Sequence, residues 1–176
     1  MPALEPLAKD ITEPSDLVTA IRKRRGGELL KLDRMLLHSP AFAEGWNSHL
    51  AKVRQSLQLD AQLRELAICA VAIVNRAPYE LEQHLPFYRA AGGTNEKCEA
   101  LHGLGSNNKI PGGFNALESD VIEIALQMTQ SIEVESALKT RLLKVLGPQQ
   151  LVELVGVVST YNMVSRFLVA LDLHAE

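Results

Sequence analysis

Nine consecutive apolar residues, Leu66 to Val74, constrain this chain more than any other feature of its sequence. Asp60 stands ahead of them as a helix cap, and the segment from about Ala61 to Asn75 reads as one helix. A helix that is apolar all round has no face to give to water, so it must be enclosed by other elements. The chain is therefore expected to fold around this segment.

The rest of the sequence supplies helices to enclose it. Residues 1–14 carry three prolines and little periodicity and read as an N-terminal arm. Ser15 opens a helix that Gly26-Gly27 ends, and a short helix follows to about His38. Ser39-Pro40 starts a third helix, to about Leu57, because proline is tolerated in a first turn. Pro78 opens another, which Gly92-Gly93 stops, and Thr94 caps a short helix to about Leu104. Residues 103–114, rich in Gly and Asn, read as the one long loop. Leu117, Val121, Ile124, Ala125 and Met128 recur at helical spacing over residues 116–130. A helix over 134–146 meets Gly147-Pro148, and a last one runs from about Gln149 to Leu173. No segment alternates with period two between turn signals, so essentially no sheet is expected. The expected organisation is an arm over 1–14 and a single all-helical domain over 15–176.

Composition narrows the function. A net charge of −3 with acids and bases interspersed gives no footprint for nucleic acid. The one basic run, Arg22-Lys23-Arg24-Arg25, sits where cations complement a helix C-terminus. Cys69 and Cys98 are far apart and in no paired motif, which fits a reducing, cytoplasmic setting. The N-terminus lacks the apolar stretch of a secretory signal. Residues 154–171 hold one charge, Arg166, and resemble a membrane span in composition. Ser159, Asn162 and Arg166 nevertheless form a polar stripe, and arginine at mid-bilayer costs about 2.5–3.5 kcal/mol. A buried helix beside a polar cavity or a subunit interface is expected, and no membrane.

One constellation carries chemistry. Glu80 and His84 are four residues apart and share a helix face. Glu65, on the preceding helix, lies among Ile68, Cys69 and Ala72, where an unpaired carboxylate is unfavourable. Tyr79 adds a phenol, and Pro86 is expected to kink the helix just past His84. Two carboxylates, an imidazole and a phenol can move protons near neutral pH. Plainer alternatives stand beside this: a surface Glu–His pair, Glu65 paired with Arg64 or Arg76, and Tyr79 as a packing residue. At about 1.5 Å per residue, a straight hairpin offsets Glu65 from His84 by roughly 7 Å, which tilt or long side chains must close. Three dispersed ligands without a second histidine make a poor metal site. His38, His49, His102 and His174 are isolated, and Phe42 and Trp46 read as core or interface anchors.

Arg64-Glu65-Leu66-Ala67-Ile68, Ala77-Pro78-Tyr79-Glu80 and His84-Leu85-Pro86 together resemble the carboxymuconolactone decarboxylase family. That family shares its helical fold with the alkylhydroperoxidase D peroxidases. The resemblance covers about residues 55–105 and extends loosely to Tyr161-Asn162-Met163-Val164-Ser165-Arg166-Phe167. It implies an all-α, alkylhydroperoxidase D-like domain with an N-terminal helical extension. The peroxidases carry Cys-x-x-Cys-x-x-x-His, with a glutamate nineteen residues before the histidine. Glu65 and His84 keep that spacing, and Tyr79 matches a tyrosine of the motif. Ala77 and Glu80 stand where the two cysteines would be. A thiol peroxidase needs an attacking and a resolving thiol, so that activity is not expected.

The resemblance implies a cofactor-free lyase that decarboxylates a small carboxylated lactone or ring-cleavage product. His84, Glu65, Glu80 and Tyr79 are its expected catalytic residues. Arg166, Arg76 and Asn162 are the expected substrate-binding residues, an arginine holding a substrate carboxylate bidentately. A lactone hydrolase or isomerase, or a non-catalytic helical assembly protein, are the alternatives. The family also implies a homo-oligomer, a trimer or hexamer, with a small-molecule substrate and neither metal nor cofactor.

Overall fold

The computed structural model describes residues 4–104 and 110–174; part of the expected loop over 103–114 lies outside the described residues. Among the described residues there are eight helices and no strand. They are α1 (Ser15–Arg25), α2 (Lys31–Leu36), α3 (Pro40–Gln55), α4 (Ala61–Val74), α5 (Pro78–Ala90), α6 (Asn95–His102), α7 (Ala116–Gln130) and α8 (Ser136–Ala170). The chain divides into two compact units, one running to Leu57 and taking in Leu171–His174, the other Gln58–Ala170.

The first unit packs Val18, Ile21, Leu32, Met35, Trp46 and Leu50 inside. Its buried acid, Asp33, organises the basic run. Arg25 grips it with Nε and Nη2, each at 2.9 Å from one oxygen, and the Leu30 amide donates to it at 2.9 Å. Residues of the arm lie along this unit: Arg34 donates to the Leu7 carbonyl at 3.0 Å and Arg22 to that of Lys9 at 2.9 Å. Gly26 ends α1 with a left-handed φ of 89°, the conformation a glycine takes most cheaply. Phe42 is half exposed with its ring edge-on to the buried Trp46.

The second unit is built on α4. Leu66 to Ala72 are fully inaccessible, enclosed by α5, α6, α7 and α8, as the apolar run demands. Each buried leucine or isoleucine there contributes about 1.5–3 kcal/mol. Asp60 caps α4 by accepting from the amides of Gln62 and Leu63. Glu153 of α8 accepts from the Leu59 amide at 2.7 Å, just before α4 begins. Glu118, fully buried in α7, caps its own helix through Asn115 and meets Lys97 of α6 at 2.7 Å and Gln62 of α4 at 3.1 Å. Gly93 is required where it stands: a Cβ there would lie 2.5 Å from the buried Tyr88 ring.

Pro86 stands inside α5, which continues past it to Ala90 as expected. The carbonyl it deprives of a partner belongs to Glu82, which is exposed and reaches water. The expected break between two C-terminal helices is present within α8: Gly147 leaves the helical conformation at φ 73° and ψ 174°, and the two segments meet across a kink there. By length and composition α8 is apolar enough to cross a membrane. One face of it packs inward through Leu154, Val157, Val158, Tyr161, Val164 and Leu168.

Candidate functional site

Arg76 takes a left-handed φ of 53° in the turn between α4 and α5 and stays exposed. The turn is closed by the Ala77 amide donating to the Ala72 carbonyl at 2.8 Å. Glu65 lies nine residues before the end of α4 and His84 six after the start of α5, an axial offset of about 4.5 Å. The side chains close it. His84 Nδ1 lies 2.7 Å from Glu65 Oε2, with the two residues 6% and 1% exposed. The contact fixes the imidazole's orientation and leaves Nε2 as the ring nitrogen turned away from the carboxylate.

Glu65 is a bridge. Its other oxygen accepts from Arg64 Nε at 3.3 Å, so one carboxylate holds an imidazole and a guanidinium. Of the two partners read for Glu65 besides His84, Arg64 is the one joined to it. The His84 ring also meets Tyr161 of α8 edge-on, with 4.9 Å between centroids, and the half-exposed Phe87 at 6.1 Å. Tyr161 lies inside the C-terminal segment that carried the looser resemblance, yet no spacing rule linked it to His84. Two aromatic rings and a carboxylate therefore hold the imidazole on three sides.

Glu80 is different. It is 2% exposed, and neither carboxylate oxygen has a hydrogen-bond partner among the described residues. Burial holds its carboxyl well above the usual carboxylate range. The N-terminal turn of α5 would favour an ionised carboxylate by about 0.3–1 kcal/mol. That falls short of the several kcal/mol needed to strip an unpaired ion of water. Tyr79, buried beside it in the same turn, completes the α5 residues named from sequence.

Of the expected substrate-binding residues, Asn162 and Arg166 are joined to each other on α8. Asn75, closing α4, donates to Asn162 Oδ1 at 3.0 Å and to Ser165 Oγ at 2.7 Å. Asn162 donates to Thr129 of α7 at 2.9 Å and to its own helix at the Val158 carbonyl. Arg166, exposed, donates to the Asn162 carbonyl at 3.0 Å. These contacts give Asn162 a tying role among α4, α7 and α8, and none of them joins Glu65 or His84. A groove of about 500 Å³ between α7 and α8, lined by Ile124, Met128, Val134 and Val155, likewise does not include the pair.

Cys69 and Cys98 are both buried. Burial pushes the Cys69 thiol up, and the neighbouring Glu65, Cys98 and Glu80 add to that. A thiol so disposed is a poor nucleophile. Among the described residues no group of three or more His, Cys, Asp or Glu is placed to hold a metal ion.

The helical arrangement is that of the alkylhydroperoxidase D-like fold. It is similar to the crystal structure of an uncharacterized peroxidase-related protein from Silicibacter sp. TM1040, with a TM-score of 0.77 and 19% identity over 99% of this chain and 92% of that one. Residues 40–105, which contain Glu65, Glu80 and His84, match the model of the carboxymuconolactone decarboxylase family. No curated protein matches the sequence.

Proposed function

We propose that this chain is a cofactor-free carboxy-lyase that removes carbon dioxide from a small carboxylated lactone or ring-cleavage product by proton transfer. The single observation that carries the reading is the 2.7 Å contact between His84 Nδ1 and Glu65 Oε2, made across two helices in a buried setting. A carboxylate that grips one imidazole nitrogen leaves the other aimed and able to act as general acid. In the reaction the bond from ring carbon to carboxylate breaks, and its electron pair passes into the conjugated lactone. His84 then delivers the proton from Nε2 to carbon and is reprotonated from solvent. Arg64 is the cation joined to the pair, so it takes the role of holding a substrate carboxylate ahead of Arg166 and Arg76.

The same reading makes the protein a cytoplasmic homo-oligomer. Val152, Val155, Met163 and Val169 are exposed along α8, flanking Ser159 and Arg166, a largely apolar face that a second copy would cover.

The direct test is turnover of carboxylated lactones by the wild-type protein and by His84→Gln, followed by carbon dioxide release. A loss of about 10²–10⁴-fold in kcat is expected for the variant. Equal rates would remove His84 from the chemistry and the reading with it.

A further inference from the structure

Resting on the decarboxylase reading, we infer that Glu80 stands as a neutral carboxylic acid and donates its O–H to the lactone oxygen on which charge gathers as carbon dioxide leaves. The first support is a contrast within the molecule. Four acids are buried among the described residues: Asp33, Glu65, Glu80 and Glu118. Asp33 is gripped by Arg25, Glu65 by His84 and Arg64, and Glu118 by Lys97. Glu80 alone has neither oxygen bonded among the described residues. Native proteins satisfy nearly all such atoms, and an exception marks a place where a ligand, a water or a reaction supplies the partner.

Position is the second support. Glu80 precedes His84 by one helical turn on the same face of α5, and Glu65 meets that face from α4. The titratable groups around it are His84 on α5, Glu65 and Cys69 on α4, Cys98 of α6 beside Cys69, and Tyr161 of α8 against His84. The cations of the cluster, Arg64 and a protonated His84, are both engaged by Glu65. Among the described residues no cation is bonded to Glu80.

An ionised carboxylate only accepts hydrogen bonds, whereas a neutral one also donates. Donors fixed in a water-poor site stabilise charge that appears during a reaction far better than water does. Decarboxylation puts such charge on an oxygen conjugated with the broken bond. Two acids in differing surroundings then divide the work, as environments that push carboxyl groups apart allow. Glu65 stays ionised and orients His84. Glu80 keeps its proton throughout and holds the oxygen, while His84 protonates carbon. One proton is consumed and one carbon dioxide leaves.

The experiment has two arms. Infrared difference spectra of the wild-type protein and Glu80→Gln at pH 7 should show a carboxylic-acid carbonyl band that the variant lacks; carboxylate bands alone would overturn the proposal. Turnover of carboxylated lactones should fall by no more than about tenfold in Glu80→Gln, whose amide still donates, and by about 10²–10³-fold in Glu80→Leu. Glu80→Leu at the wild-type rate, or Glu80→Gln as slow as Glu80→Leu, would overturn it. His84→Gln separates the two readings: loss there with an unimpaired Glu80→Leu sinks the role of Glu80 alone. A wild-type protein that decarboxylates no such lactone overturns both.

Discussion

The ring of Tyr161 stands at 85° to the imidazole of His84, edge against face, and with Glu65 it leaves that imidazole one orientation. A general acid on a rigid helix must be aimed before it is useful, since small misplacements cost rate steeply. Here α4 supplies the carboxylate, α5 the imidazole and α8 the wall.

Glu65→Gln should preserve the fold and remove the charge that fixes the imidazole. An amide can bond the ring only in the other tautomer or with a weaker contact. The expected result is a fall in kcat of about 10²–10⁴-fold with a near-native far-UV circular dichroism spectrum. Unaltered kcat would show that the pair is structural.

Arg64→Met keeps the stem and removes the guanidinium. If Arg64 holds a substrate carboxylate, KM rises by about tenfold or more, beyond any fall in melting temperature from removing a partner of the buried Glu65. Steady-state kinetics on one carboxylated lactone checks it, and a KM unchanged beside wild type would return the role to Arg166 or Arg76.

Glu80 makes stability depend on pH in a defined direction. Its folded carboxyl ionises well above the unfolded value of about 4.3, so between the two the folded chain holds one proton more than the unfolded chain. Its contribution is therefore full below the unfolded value and declines as pH rises, by about 1.4 kcal/mol per pH unit, until the folded group ionises. Urea midpoints from pH 4 to 8 should fall for the wild-type protein relative to Glu80→Gln. Parallel curves would mean that the carboxyl ionises alike in both states.

Gly93→Ala should destabilise the second unit. The added Cβ would meet the Tyr88 ring at 2.5 Å, and that ring has no exposed side toward which to move. Overpacking of this kind costs about 1–3 kcal/mol. Thermal melting reads it, and a melting temperature at or above wild type would contradict the fit.

Met163→Asp and Val152→Asp place charge on the exposed face of α8 without touching the core. If copies of the chain meet there, light scattering will report a smaller mass for the variants than for the wild-type protein. Identical masses would place the contact elsewhere.

Much of this architecture was legible because it rests on short-range rules. The Asp60 and Thr94 caps, the Gly26 stop and the enclosure of Leu66 to Ala72 follow from local chemistry and the need to bury apolar surface. The nineteen-residue interval between Glu65 and His84 was visible too, though only the turn at Arg76 and the reach of two side chains decided that they meet. The His84–Tyr161 contact and the web from Asn75 to Ser165 span 77 and 90 positions. No periodicity encodes such pairings, which depend on how α8 lies against α4. Asn162 and Arg166 stand out in sequence because polar groups on an apolar rod demand an explanation, and part of it is that they bond each other.

That mutual arrangement reaches along α8. Thr160 bonds the Gly156 carbonyl, Asn162 that of Val158, Ser165 that of Tyr161 and Arg166 that of Asn162, each one turn back. The helix thereby swallows its own polarity. What remains outward over its last turns is a mixture of Val152, Val155, Met163 and Val169 with Ser159 and Arg166, so a neighbour there would meet hydrocarbon studded with few polar groups.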